Sequence, residues 1–376
     1  MKITDVHMHY SPQTGPEFLT DFLSRTDTDS VVIQAVSHSR CLSLVPGALV
    51  MNHMSGDRFF VFGSPDLSAY YLHPHDLGEY LVSYAQLLLS SGCDGIKLLE
   101  GKPQMRKTHP IPDFDSPVWE PFWAYLEANK VPVLFHVNDP ETNWSPDASD
   151  WVKQQGWWYD DSYINNEVQY AQVLRVLQAH PHLKVIFAHF FFMSAQLPRL
   201  DAILSAYPNV MVDLTPGIEM YENFSSDFAS AKAFFDKYHD RICYGTDIGG
   251  RCILTNEGDP FNEKENLRRP EIVRQFLTMS GEALITSDGN FIHDRSPFTM
   301  KGLALPPDRL EEILDSNARR MIGALPRPTD PEQVLTLCAL LRERMIDLAS
   351  VKEDFLPDPS ELDRAERYFS AVYYAD

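Results

Sequence analysis

The chain has 376 residues, 44% of them hydrophobic and 23% charged, with a formal net charge of -21. That length and apolar share support a large core, in one barrel-sized domain with additions or in two domains. The charge argues against nucleic acid and anionic membrane surfaces, which are polyanions, whereas a pocket's local field can still suit a small anionic substrate.

Met1-Lys2-Ile3 leads directly into a strand pattern, Ile3-Thr4-Asp5-Val6-His7-Met8-His9, with no signal peptide before it. Further short apolar runs follow at 30–37, 59–63, 94–99, 131–137, 184–189, 210–214 and 241–247. Near-continuous apolar runs of this kind suit parallel strands buried on both faces. Amphipathic helical patterns separate them at 76–91, 116–129, 164–179, 195–207 and 226–238, several ending at a proline. Eight alternating units over roughly 250 residues predict an α/β fold, a (β/α)8 TIM barrel. No Gly-x-Gly-x-x-Gly follows any strand, which weakens a dinucleotide-binding reading.

Three additions break the rhythm. Residues 138–163 form a long insertion after the fifth strand and hold Trp144, Trp151, Trp157, Trp158 and Tyr159, which reads as an aromatic lid over the catalytic side. A second runs from 248 to 304, with a helix expected near 263–279 and a polar stretch near 287–295. The third is the tail beyond Gly323. Pro326 and Pro328 mark a linker, and helices are expected at 331–352 and 360–374. The chain thus divides into a barrel domain, 1–323, and a helical C-terminal extension, 324–376, packed on the barrel's outside or on a second subunit. The five cysteines, Cys41, Cys93, Cys243, Cys252 and Cys338, are scattered and read as reduced thiols of a cytoplasmic protein. The apolar run 185–193 is too short to span a bilayer.

Active sites of such barrels lie where the strands end. The first strand ends in His7 and His9, two residues apart and so on one face. The fifth ends in His136, the sixth in His189 and the eighth in Asp247. Four imidazoles and a carboxylate would converge at the barrel mouth, a donor set that suits a transition metal. Arg40 follows the second strand, Lys102 and Arg106 the fourth, and Arg251 the eighth. Any of them could neutralise a substrate carboxylate, although such loop cations are commonly solvated. Asn138, Glu141 and Trp144 follow His136 and are candidate pocket residues, and Phe190-Phe191-Phe192 could line a cavity or pack beneath the lid.

Asp-Val-His-Met-His, Leu-Phe-His-Val, Phe-Ala-His, Tyr-Gly-Thr-Asp and Ser-Asn-Ala-Arg-Arg-Met together resemble the amidohydrolase superfamily. Within it the chain resembles the amidohydrolase-related branch that includes aminocarboxymuconate semialdehyde decarboxylase and related aromatic-acid decarboxylases. The resemblance covers roughly residues 1–323. It implies that His7, His9, His136 and Asp247 ligate one divalent metal, usually Zn2+, with Mn2+ or another divalent ion as substitutes. It also implies catalytic roles for His189 and for Asp247, which would pass the water's proton to the leaving group. In binuclear members a carboxylated lysine bridges two metals; Lys97 stands at that place, but the motif set is that of the mononuclear branch. Asp5 is expected to support the His-x-His strand rather than to bind metal, and the helix holding Asn317-Ala318-Arg319-Arg320 to close the barrel.

The leading expectation is a metal-dependent hydrolase acting on a small carboxylate, lactone or amide through a metal-activated water. The alternative is a nonoxidative decarboxylase using the same ligands, and a third reading is a barrel that binds a ligand without turning it over. The expected partner is a small-molecule substrate, with no nucleic acid, no membrane and, by analogy, a homodimer.

Overall fold

A computed structural model describes residues 1–12, 16–154, 156–216, 218–249, 263–286 and 297–374. Its centre is a parallel sheet of β1 (Thr4–His9), β2 (Ser30–Ala35), β3 (Phe59–Gly63), β4 (Gly95–Gly101), β5 (Val133–Val137), β6 (Val185–Phe187), β7 (Val210–Asp213), β8 (Ile242–Cys243) and β9 (Ile248–Gly249). From β1 to β8 each strand pairs with the next in chain order. β8 pairs with β7, and β9, four residues further on, pairs with β1. The segment 242–249 therefore joins both edges of the curled sheet as one interrupted eighth strand, and the (β/α)8 barrel expected from the sequence is present. Val6 N donates to Tyr244 O at 3.0 Å across the seam, and Asp247 N donates to His7 O at 2.7 Å.

The barrel interior is filled by Val6, Val32, Phe60, Phe62, Leu134, Ile186, Met211 and Cys243, all buried. Ala318, Met321 and Ile322 of the helix Asn317–Ile322 join the same cluster and plug the barrel floor. Asn317 fixes that helix by donating from Nδ2 to the carbonyls of His239 and Ile242, each at 2.7 Å. A second and larger core lies between the strands and the outer helices. These include α1 (Pro16–Arg25), α2 (Val45–Ser55), α3 (Leu77–Ser91), α4 (Glu120–Ala128), α5 (Asn166–Ala179), α6 (Leu197–Ala206) and α7 (Phe228–Tyr238). Their ends carry readable signals. Asn165 accepts from Glu167 N at the start of α5, and Gly92 takes φ 118° at the end of α3.

After the eighth strand come α8 (Glu263–Thr278) and an antiparallel pair, β10 (Ser280–Ile285) and β11 (Phe298–Leu303). The polar stretch 287–295, Cys252 and Arg251 lie outside the described residues. The tail forms α9 (Pro331–Val351) and α10 (Ser360–Tyr373). Pro331 stands in the first turn of α9, and Asp330 caps it by accepting from Glu332 N and Gln333 N. Val334, Leu337, Cys338, Leu341, Met345 and Leu348 form its buried stripe. α9 packs on α3 and α10 on α2. Among the described residues no helix is long and apolar enough to cross a membrane.

Candidate metal centre at the barrel mouth

The His-x-His pair owes its direction to a bulge. Between Asp5 and Met8, β1 advances three residues while β2 advances two, so one extra residue is inserted and the inside/outside alternation flips. Val6 faces the barrel interior, and beyond the bulge Met8 joins the outer core. His7 and His9 are thereby turned inward, with ring centroids 5.2 Å apart. Asp5 pins the bulge: Oδ1 accepts from His7 N at 2.9 Å and from Thr246 N at 3.2 Å, and Thr246 Oγ1 donates to Oδ2. Burial pushes the Asp5 pKa up to about 7 against these hydrogen bonds. Its expected supporting role matches its contacts.

β9 carries the third donor in. Met8 pairs with Ile248 and His9 with Gly249, placing Asp247 beside the two histidines. Asp247 Oδ1 lies 3.1 Å from His9 Nε2 and 3.6 Å from His7 Nε2. Two ligands held at about 2.1 Å from one tetrahedral ion are roughly 3.4 Å apart, so these spacings fit a shared divalent cation. His7, His9 and Asp247 form a compact potential metal-holding group among the described residues. Asp247 has φ 55°, in the left-handed region. Burial works to raise its pKa, but the hydrogen bond from His9 and the charges of His7, His9 and Arg269 outweigh that and hold the carboxyl well below the usual range.

The remaining nitrogen of His7 is oriented by residues that strand-end reasoning missed. His7 Nδ1 lies 2.8 Å from Asp213 Oδ2 and 3.0 Å from Thr215 Oγ1. The buried carboxylate fixes the Nδ1–H tautomer and leaves the Nε2 lone pair for a cation. Gly245 makes room for this, since a Cβ there would stand 2.7 Å from Thr215 Oγ1 and 3.3 Å from His7 Cβ. Lys97 Nζ approaches the same His7 Nε2 at 3.1 Å. Burial pulls the Lys97 amine down to about 8, against the carboxylates of Asp213, Asp247 and Glu100. Burial also lowers the His7 pKa well below its ordinary value, with Lys97 adding to the effect.

His189 and His136 form the opposite side. The His189 ring is 5.4 Å from that of His7 and 5.0 Å from that of His136. β6 ends just before it, and His189, Phe190, Phe191 and Phe192 all take left-handed backbone angles, φ 51–59°. This turn is held by Asp213 Oδ1 accepting from His189 N at 2.7 Å and by Tyr170 donating to Phe191 O at 3.0 Å. Phe192 stacks on His189 and meets His136 edge-on. Phe190 and Phe191 are buried in the outer core, so they pack beneath the mouth rather than line it. Burial lowers the His189 pKa well below its usual value, and its buried Nδ1 has no hydrogen-bond partner among the described residues. His136 Nε2 is 3.3 Å from Asp139 Oδ1, outside the compact trio.

The other candidate residues are spread differently. Lys102 donates to both oxygens of Asp139 at 2.9 Å, and Tyr159 of the aromatic insertion donates to the same carboxylate. Burial alone would raise the Asp139 pKa; Lys102, His136 and Tyr159 reverse that and hold it below the ordinary carboxylate range. Lys102 thus anchors the insertion to the barrel, with the Trp157 ring 5.1 Å away. Trp144 packs on Tyr159 at 4.7 Å. Asn138 is buried and accepts from Gln169 Nε2 at 2.8 Å. Arg40 faces the tail, donating to Leu356 O at 3.4 Å with Asp358 3.8 Å away. Arg106 pairs with Asp113 at 2.6 Å. Arg269 of α8 stands beside Asp247, and no strand-end pattern points to it.

The fold is shared with solved structures at low identity. A TIM-barrel protein from Bordetella bronchiseptica aligns with a TM-score of 0.54 and 15% identity, over 86% of this chain and 99% of its own. The IDCase of Metarhizium anisopliae, in apo form, aligns at 0.52 and 15%, over 85% and 97%. A protein described as a 2-pyrone-4,6-dicarboxylic acid hydrolase from Acinetobacter baumannii, with citric acid bound, aligns at 0.50 and 13%, over 86% and 100%. No curated protein matches the sequence. The family model described as amidohydrolase matches residues 90–324, well over half of the chain; it takes in His136, His189, Asp213 and Asp247, while His7 and His9 precede it. The resemblance read from the strand-end motifs is therefore borne out, and the chain belongs to the amidohydrolase family.

Proposed function

We propose that the protein is a metal-dependent hydrolase, with zinc as the expected ion, acting on a small carboxylate, lactone or amide. The observation that supports this most is the convergence of His7, His9 and Asp247 at ligand spacing, from the first strand of the barrel and the last. When bound there, a divalent ion supplies Lewis acidity and brings the pKa of a water down to about 7. The chain's own groups do the rest. Asp213 holds the His7 ring in the tautomer that presents Nε2. Asp247, ionised, brings its carboxylate to the face shared by both histidines, where it can ligate the ion and take up a proton as the reaction proceeds. His189, kept neutral by burial, has one N–H and one lone pair and can orient a substrate oxygen without adding charge. His136 stands behind it as the fourth candidate ligand, and the insertion anchored by Tyr159 and Lys102 walls one side.

The test begins with elemental analysis of purified protein, where about one zinc per chain is expected. A panel of aromatic acids, lactones and amides is then assayed for acid release and for carbon dioxide release. Metal-dependent acid release supports hydrolysis. Carbon dioxide release with the same metal dependence would replace it with decarboxylation. A chain that neither retains nor takes up a divalent ion has lost the basis of this reading.

A further inference from the structure

We infer that Asn266 and Arg269 of α8 are positioning residues that hold the aspartate of the metal centre in place; the inference rests on the metal reading above. The segment 247–249 has two left-handed positions, Asp247 at φ 55° and Gly249 at φ 121°. Such a conformation is unfavourable at a non-glycine residue, so surrounding contacts hold it. β1 supplies one side of the restraint, through the hydrogen bond from Asp247 N to His7 O and the pairing of His9 with Gly249. The pairing is close enough that a Cβ on Gly249 would lie 2.2 Å from His9 O.

α8 supplies the other side. Arg269 Nη1 donates to Asp247 O at 2.6 Å and to Asp247 Oδ2 at 3.1 Å. Asn266 Oδ1 accepts from Gly249 N at 2.8 Å. The two residues are three apart and so share one helix face, and both are buried. One guanidinium grips the main chain and one carboxylate oxygen of the same residue. With Oδ2 taken, Oδ1 is the oxygen left facing His7 and His9, the arrangement in which it meets a shared cation. Both bonds come from Nη1, which lies one bond beyond the reach of a lysine ammonium, so lysine at 269 would keep the charge but shorten the grip.

The two effects of Arg269 have opposite signs, which makes the inference testable. As a bare positive charge next to a cation site, Arg269 would weaken metal binding, and its removal would tighten it. As a clamp, its removal loosens Asp247 and weakens binding. Full-length apoprotein is titrated with Co2+, whose visible absorption bands report ligand geometry, for wild type, R269Q, R269K and N266A. Thermal unfolding of each is followed in EDTA. The expected result is a fall of about 10–100-fold in Co2+ affinity for R269Q, with altered bands, no full rescue by R269K, and a smaller loss for N266A, which leaves the charge unchanged. Wild-type or tighter affinity with unaltered bands in both R269Q and N266A overturns the clamp. If R269Q does not fold, N266A decides by the same criterion. Failure of the wild type to bind Co2+ would instead sink the metal reading and the clamp with it, so the two failures are distinguishable.

Discussion

His7 is useful to a cation only if its proton sits on Nδ1, and that depends on Asp213 on a strand more than two hundred residues away. Asp213→Asn keeps the shape but removes the charge that fixes the tautomer. We expect zinc affinity to drop by about 10–100-fold, read by competition with a chelating dye. His9→Ala and Asp247→Asn should lose turnover, and His9→Ala most of the bound metal as well, measured as zinc content and initial rate. An Asp247→Asn protein with full activity would remove the acid-base assignment. His7, His9 and Asp247 were legible because imidazoles at strand ends are scarce and strand ends meet in a barrel. Asp213 was not, because one aspartate closing an apolar run looks like any other buried polar group until its partner is known. The loop cations raise a different point. Arg40 and Lys102 follow strands as substrate-binding residues would, and the structure sets Asp358 and Asp139 beside them, neighbours that strand position does not reveal.

The elements show the same division. Strand order and helix spans followed from apolar runs and their period, but the departures from regularity did not. The bulge in β1 inserts one residue within an ordinary apolar pattern, and four consecutive aromatic and histidine positions adopt left-handed angles without a glycine among them. The eighth strand, expected at 241–247, is two short pieces because its middle bends towards the site. Asp94, at the entry to β4, belongs to this scale. Its carboxylate accepts from Val61 N and Arg327 N, each at 2.8 Å, tying β3 to the linker that precedes α9. Burial nevertheless pushes its pKa up to about 7. The folded carboxyl keeps a proton that an unfolded one, near 4, gives up. Its contribution is fully present below about 4 and is lost as pH rises towards 7, at no more than about 1.4 kcal/mol per unit. Asp5 and Glu100, also raised to about 7, act in the same window. Asp94→Asn should therefore flatten the fall in stability between pH 5 and 7.5 without abolishing it, as read from urea midpoints.

At the scale of the molecule, the tail reaches round to the rim that carries the site. Tyr10, next after His9, donates its hydroxyl to Glu361 of α10 at 2.9 Å, and Arg364 donates to the same hydroxyl and, at 3.3 Å, to Pro12 O. Gly47 of α2 lets them meet, since a Cβ there would stand 2.2 Å from the Tyr10 hydroxyl. Leu341→Ala, in the buried stripe of α9, should cost about 2–5 kcal/mol in thermal or urea unfolding. Arg364→Ala should cost less stability, about 1–3 kcal/mol, yet reduce zinc retention measurably, because it frees the chain just beyond His9. Equal zinc content in Arg364→Ala and wild type would confine the tail to a packing role.

The joint between the first strand and the last has a consequence for the life of the chain. Residues 7 and 247 stand on the first and last strands, so the compact trio exists only where the ring of strands is closed. On the proposed metal reading, occupancy would latch the closed ring, adding RT ln(1 + [ion]/Kd) to the completed state, less whatever affinity the unfolded histidines keep. Zinc supplied during refolding should leave the early phases unchanged and slow only the reopening.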